Sequence, residues 1–435
     1  MPTTDEFLAA NFTTEPYWTE GLEPLDLAVQ RPPSSADVVI IGGGFAGLSA
    51  AITLARGGRS VLVLEAARIG AGAAARAAGS LGHVPKATLT DLAAVYDTDT
   101  ARAVYKEARE ARTFVERFIK ENGIECDLRI ASRFVAAHSP RAFERQKAAL
   151  PTLRDTWGDV EIVERSAQHT LIRSDAFYGG VKANDSATLQ PALFVRALAR
   201  LAVSSGAIIL ENTRATDVKR TASGFDVVGD ARRFRAKEVI LATNADTGIG
   251  TVGFQSLRRR LIPMPAYALA TEEVGADFVR RILPINGPVS DTYKIVNYIA
   301  PSMDGKRLIV SSRAGRQDRD MRTKAQRMWR YFADRFPGLG DVRISHCWKG
   351  TFAVTADWIP HLGVEDGFQY ILGCCGTGVP MSTFLGFQAA SKILDPRRPR
   401  SVFERPLPPL PFMGAGSLFL PFAVRGYELR DRLFR

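Results

Sequence analysis

The stretch DVVIIGGGFAGLSAAITLARGG, residues 37–58, decides how this chain is read. Residues 37–41 are a β-branched run with strand character. The pattern turns helical over 44–57, and Gly42, Gly44 and Gly47 sit at the junction in G-x-G-x-x-G spacing. Residues 60–65 form a second Val/Leu strand that ends on Glu65. Strand, glycine turn, helix, strand and terminal acid together predict a βαβ dinucleotide-binding unit; a glycine-rich turn of another α/β fold would account for the glycines alone. Gly42 permits the tight turn, Gly44 lets the backbone approach a pyrophosphate, and Gly47 lets helix and strand pack closely. The helix N-terminus favours the negative charge, and Glu65 is placed to accept ribose hydroxyls. An acid there disfavours a 2′-phosphate, hence NADP.

Outward from this unit, residues 1–36 read as an arm, because Pro16, Pro24, Pro32 and Pro33 leave little room for regular structure. Residues 90–122 and 141–157 have helical periodicity, 130–137 reads as a strand, and 191–206 reads as a helix leading to a strand at 207–211. A hairpin is expected at 225–234 and a Val/Ile/Leu strand at 238–242; short β-like runs fill 261–312, followed by a helix over 321–336. The last unit is a strand at 369–372, a glycine turn and a helix over 380–394. No Gly/Ser- or Pro-rich linker marks a string of sequential domains. The expected fold is therefore α/β, α+β over the whole chain. A Rossmann-type domain is built from discontinuous segments (37–90, 180–260, 345–400), a β-rich substrate domain from 91–179 and 261–344, and a tail over 401–435 packs on the body.

The chain has 435 residues and a net charge of +11. Acids interrupt the basic residues almost everywhere, the longest basic run is Arg258-Arg259-Arg260, and no nucleic-acid motif is present, so no nucleic-acid partner is expected. Cys126, Cys347, Cys374 and Cys375 fit no zinc spacing, and no metal is expected; adjacent Cys374 and Cys375 read as buried small side chains rather than a strained vicinal disulfide. Asp5, Glu6 and Glu15 precede any apolar run, which argues against a signal peptide. No stretch is apolar enough to span a membrane, and the run at 411–424 is short and broken by Pro421. A cytoplasmic location is the default expectation.

Five further stretches accompany the first: VLVLEAARIGAGAAARAAGS (61–80), TLQPALFVRALAR (188–200), EVILATNADTG (238–248), WKGTFAVTADWIPHLG (348–363) and GCCGTGVPMSTFLG (373–386). In this order they resemble the FAD-dependent amine oxidases grouped with D-amino-acid oxidase, glycine oxidase and sarcosine oxidase, in the γ-glutamylputrescine oxidoreductase-like branch. The resemblance implies FAD as cofactor. Gly42, Gly44, Phe45, Ala46, Gly47, Glu65, Ala66 and Arg68 would hold its nucleotide end. Gly72, Ala73, Arg76, Ala78, Gly79 and Ser80 would form a second flavin segment. Val218, Ala242, Thr243 and Asn244 would lie against the dinucleotide. Trp348, Gly350, Gly373, Gly376, Thr377, Gly378, Val379 and Pro380 would complete the flavin pocket. A glycine turn opening a helix would aim N–H groups at the flavin's pyrimidine edge, where charge develops on reduction. Pro380 and Ala300 stand where members carry Lys and Arg. The segment at 70–79 has no His or Cys, so the flavin is expected to be non-covalent.

The implied reaction is oxidation of a small primary or secondary amine, or an amino acid, by hydride transfer to flavin N5, then imine hydrolysis. Its partners are an amine and either oxygen or another electron acceptor; the oligomeric state is left open. Alternatives on the same fold are a dehydrogenase that passes electrons to a quinone or protein, a 2-hydroxy acid oxidoreductase, and a flavin-binding protein without turnover. His83, Tyr298 and Trp348 are the candidates near the reacting atoms. His83 reads as an active-site or a structural histidine, Tyr298 as a pocket wall or a core strand residue, and Trp348 as a ring neighbour or core. Arg313 reads as a carboxylate anchor or a surface cation.

Overall fold

The computed structural model describes residues 6–27, 31–82, 85–230, 232–250, 253–313 and 320–410. In chain order its strands are β1 (Leu8–Thr13), β2 (Ser35–Ile41), β3 (Val61–Leu64), β4 (Arg129–Ala136), β5 (Val160–Val163), β6 (Gly180–Thr188), β7 (Ile208–Leu210), β8 (Ala215–Thr221), β9 (Gly224–Gly229), β10 (Arg232–Leu241), β11 (Ile262–Thr271), β12 (Val289–Asp291), β13 (Asn297–Pro301), β14 (Leu308–Arg313), β15 (Ile344–Val354), β16 (His361–Glu365) and β17 (Phe368–Leu372). They form two sheets.

The first sheet runs β16-β17-β10-β2-β3-β7, with β8 and β9 added as a hairpin on β10. β2 lies parallel between β10 and β3. A central parallel strand is covered on both faces, so it must be apolar on both. Val38, Val39, Ile40, Leu62 and Val63 are accordingly fully buried. The chain leaves β2 into the helix Phe45–Arg56 and returns through β3, which is the expected βαβ unit. That helix packs between the helices Pro191–Ser204 and Gly378–Leu394, with the Phe45 and Phe194 rings 5.5 Å apart.

The helix Thr98–Glu121 lies against Gly378–Leu394, where the Phe114 and Phe387 rings are 4.7 Å apart. Residues 98–121 thus join the helical layer of the first sheet, although their sequence grouped them with the substrate region. The single helix expected over 90–122 is two, because Asp97 accepts the Thr100 N–H at 2.7 Å and starts a new one. Residues 141–157 divide in the same way into Pro140–Ala148 and Leu150–Trp157, with a proline in the first turn of each.

The second sheet runs β1-β15-β11-β14-β13-β12-β4-β6-β5. It claims β6 and β15, which the sequence reading had placed with the nucleotide-binding segments; their strand partners are distant in the chain, so no local pattern assigns them. It also claims residues 8–13 of the supposed arm, which pair parallel with β15. Phe7 and Leu8 are buried there, and only a completed neighbour creates the edge that draws them in.

The two faces of this sheet differ in chemistry, and the register shows why. Phe134, Val289, Ile299, Val310, Leu269 and Cys347 form a row across six strands. All are buried in the core under the helix Met321–Ala333, with Trp329 fully covered. One residue along, the pairs Ser290–Tyr298, Tyr298–Ser311, Ser311–Ala268 and Ala268–Trp348 form the next row. Successive side chains of a strand point to opposite faces, so this row looks toward the first sheet.

At the end of β12, Asp291 is buried on the helix side and accepts hydrogen bonds from Tyr331 Oη at 2.6 Å and Asn297 Nδ2 at 2.8 Å. Burial pushes its carboxyl up to about 6 in spite of these bonds. The folded chain therefore binds this proton more tightly than the unfolded chain. Stability from the group is full below about pH 4 and is lost as the pH rises through about 6. Asp291→Asn cannot ionise, so its Tm relative to the parent is expected to rise between about pH 4 and about pH 7. A difference that stays flat across that range contradicts the assignment.

Within residues 401–410, Phe403, Leu407 and Leu410 are buried, and Phe403 O accepts the Leu362 N–H at 2.9 Å. The apolar run at 411–424 lies outside the described residues. Among the described residues no helix is long and apolar enough to cross a membrane.

Candidate active site

A cavity of about 380 Å³ lies between the two sheets. One end is the glycine turn after β2. Gly42 has φ +108°, and a Cβ there would meet Ala242 O at 2.8 Å. A Cβ on Gly47 would lie 1.9 Å from Gly42 O, so the helix can seat on the turn only with glycine at that position. A Cβ on Gly44 would meet no protein atom within 4 Å. Gly44 faces the cavity, and the helix it precedes has no side-chain cap. An uncapped helix N-terminus beside an open glycine is an anion cradle. These residues fit the diphosphate of a dinucleotide.

Glu65 directly follows β3 on the cavity wall. Its Oε2 accepts the Gly43 N–H at 2.8 Å and its Oε1 accepts the Ala67 N–H at 2.9 Å. Both oxygens keep a lone pair for ribose hydroxyls. Glu65→Ala is expected to weaken FAD binding by about 1.5–3 kcal/mol, the range for a hydrogen bond to a charged group. Equal FAD affinity in the two proteins, measured by fluorescence titration of the apoproteins, would remove Glu65 from the site.

Phe45, Ala46, Ala66, Arg68, Gly72, Ala73, Arg76, Ala78, Ser80, Ala242, Thr243, Asn244, Gly350, Gly376, Gly378 and Val379 also border the cavity. The segment carrying Arg76 is anchored from below: the fully buried Trp348 donates its indole N–H to Arg76 O at 3.1 Å. Asn244 Oδ1 accepts the Gly373 N–H at 3.1 Å and so ties the end of β17 to the end of β10. The helix Gly378–Leu394 starts without a side-chain cap, and Gly376 and Gly378 bring its first turn to the cavity.

Several expected positions lie elsewhere. Trp348 does not reach the cavity; it packs edge-on against Trp18, with ring centroids 6.2 Å apart. Gly47 is inside the helix, and Gly79 spends its carbonyl on Leu189 N–H. Gly373 and Thr377 support the wall from behind, the Thr377 hydroxyl donating to Cys374 O at 2.9 Å. Pro380 is buried in the helix start, and Val218 sits on the outlying hairpin. His83 lies outside the described residues. For Arg313 the backbone is described, pairing with Ala266, and the side chain is not.

The other end of the cavity is the polar row of the second sheet. Tyr298, Ser290 and Ser311 line it, with Arg133, Tyr267 and Lys86. Tyr298 is thus a wall residue. Its hydroxyl is buried with no hydrogen-bond partner among the described residues, and burial raises its pKa, so it stays protonated at neutral pH. Arg133 Nη2 donates to Ser290 Oγ at 3.1 Å. Sequence reasoning missed Arg133, Ser290 and Ser311. No period-two pattern flags them: Ser290 is followed by Asp291, Ser311 by Ser312, and Arg133 is preceded by Ser132, so the alternation of a half-buried strand is absent there.

The chain belongs to the DAO family, FAD dependent oxidoreductase, whose model matches residues 37–391. It is thus an FAD-dependent oxidoreductase. Over 409 residues it is 29% identical to γ-glutamylputrescine oxidoreductase of Escherichia coli (strain K12), covering 92% of this chain and 93% of that one. It is 24% identical over 375 residues to glycine oxidase of Bacillus licheniformis, covering 82% and 93%. Among solved structures, glycine oxidase from Geobacillus kaustophilus superposes with a TM-score of 0.71 at 20% identity, over 85% of this chain and 97% of that one.

Proposed function

We propose that this enzyme oxidises a small primary or secondary amine, or an amino acid, to an imine that water then hydrolyses. The observation that carries the reading is one cavity joining the glycine cradle to the polar row of the second sheet. The names of the relatives, which act on γ-glutamylputrescine and glycine, support amine chemistry. Bound FAD supplies the two-electron acceptor, and with no His or Cys at 70–79 we take it to be held non-covalently.

The protein's part is binding, orientation and exclusion of water. The cradle and Glu65 would hold the nucleotide end. The first turn of Gly378–Leu394 would face the flavin ring with its uncapped N–H groups. Tyr298 Oη and Ser311 Oγ offer hydrogen bonds to the amine, and Tyr298 keeps its own proton.

Anaerobic mixing of the yellow holoenzyme with a panel of primary amines, secondary amines and 2-hydroxy acids tests the reading. Bleaching of the flavin by amines and not by hydroxy acids is expected. Bleaching by hydroxy acids alone, or by nothing, overturns it. Admission of air to the reduced enzyme then separates an oxidase, which recovers its colour quickly, from a dehydrogenase, which does not.

A further inference from the structure

We infer that the N-terminal arm positions the cofactor: the indole of Trp18 orients the Ala77–Ala78 peptide so that its N–H is presented to bound FAD. This goes beyond the amine-oxidising reading and holds whichever substrate the enzyme takes.

The family model begins at residue 37, so the arm lies outside it. The arm nevertheless runs beneath the segment that carries Arg76. Trp18 is fully buried and donates its indole N–H to Ala77 O at 2.8 Å. One peptide earlier, Trp348 donates to Arg76 O. The two indoles meet edge-on, so two successive carbonyls are drawn to one buried side. Trp18 is itself seated by Gln190, whose Nε2 donates to Trp18 O at 2.7 Å. The chain then turns at Gly79, with φ +75°, where a Cβ would stand 2.5 Å from Leu189 O and 3.6 Å from the Trp18 ring.

Neither tryptophan borders the cavity, whereas Arg76, Ala77 and Ala78 do. The peptide bonds of the described residues are trans, and a trans peptide points its N–H and C=O in opposite directions. With Ala77 O drawn to the buried indole, Ala78 N–H points to the cavity side. It makes no hydrogen bond to another described residue. A backbone donor held away from the core in this way is left for a ligand. The segment stands where the cavity passes from the cradle to the second sheet: a Cβ on Gly350 of β15 would lie 3.4 Å from Arg76 Cβ. An FAD whose diphosphate sits on the cradle brings its flavin end to this passage. Without the indole, Ala77 O is left unmet. The cheapest relief is rotation of the peptide, which turns the carbonyl to the cavity and the N–H away from it. The fraction of protein competent to bind FAD then falls, and apparent affinity falls with it.

The test compares variants as FAD-loaded enzymes and as apoproteins. Trp18→Phe keeps an aromatic ring and removes the donor. It is expected to raise the FAD dissociation constant roughly 10- to 100-fold, the range for one buried carbonyl left without its donor. It should also shift the visible flavin bands and lower the flavin's reduction potential, because a donor facing the charge that develops on reduction is lost. Far-ultraviolet circular dichroism should stay unchanged. Leu25→Ala removes buried packing from the same arm and no donor. It should lower Tm and leave FAD affinity, bands and potential at parental values. Parental affinity and spectrum in a folded Trp18→Phe protein overturn the inference. So does an equal loss of FAD from Leu25→Ala, which makes the arm packing alone. Hydrogen–deuterium exchange of the parent protein decides without any variant. Exchange at the Ala78 amide is expected to slow when FAD is loaded, and equal exchange with and without FAD overturns the assignment.

Discussion

Gly44→Val is expected to yield a folded protein that purifies colourless. The position makes no conformational demand for glycine, since its backbone is extended (φ −88°, ψ −170°). Nor would the new side chain strike the protein, as no atom lies within 4 Å of an ideal Cβ. The space it would fill is the cavity beside the uncapped start of the helix Phe45–Arg56, where a diphosphate would sit. The branched side chain would push a diphosphate away from the helix N–H groups and forfeit several charge-assisted hydrogen bonds at once. At about 1.5–3 kcal/mol each, losing two or three weakens binding by a factor of about a hundred or more. The ratio of flavin to protein absorbance after gel filtration checks this, with circular dichroism as the control for folding. Full retention of flavin by a well-folded Gly44→Val protein would move the cofactor's diphosphate away from this turn.

Gly47→Ala is expected to do the opposite kind of damage: the protein fails to fold and excess FAD does not rescue it. One methyl group would stand 1.9 Å from Gly42 O and 3.2 Å from the Ile40 side chain. Neither can retreat cheaply. Gly42 is held by its N–H bond to Leu64 O at 2.9 Å, and Ile40 is fully buried in the central strand. Relief requires the helix to lift off β2, which disturbs its contacts with Pro191–Ser204 and Gly378–Leu394 together. We expect a loss above about 4 kcal/mol, at the severe end for a single substitution and a large share of a domain's stability. Soluble yield and thermal unfolding with and without added FAD read it out. A soluble Gly47→Ala protein with a near-parental Tm would mean that the helix and strand do not approach as closely as described.

Two glycines three residues apart in one motif thus fail for different reasons. Their spacing in the sequence flags both and does not distinguish them. The distinction needs the third dimension, which puts cavity over Gly44 and a carbonyl over Gly47.

The βαβ unit was readable because its determinants are local: an apolar run that must be buried on both faces, a glycine turn, a helix start and an acid at the next strand's end, all within residues 37–65. That much of the chain marks a dinucleotide site without help from the rest; that the dinucleotide is FAD followed from the resemblance over the other five stretches. Residues 8–13 and 348 show the limit. The N-terminal segment becomes a strand only because β15 offers an edge, and Trp348 becomes a support for Arg76 only because Trp18 covers it. The sheet end of the cavity was hidden for the same reason. Arg133, Ser290, Tyr298 and Ser311 are scattered over the chain and look like ordinary polar residues of separate strands; the register of four neighbouring strands, one pair parallel and two antiparallel, sets them on one face, toward the cradle. Local sequence carries the backbone conformation and one-residue alternation of each segment. Which segments become neighbours, and so which side chains share a cavity, is settled by burial across the whole molecule.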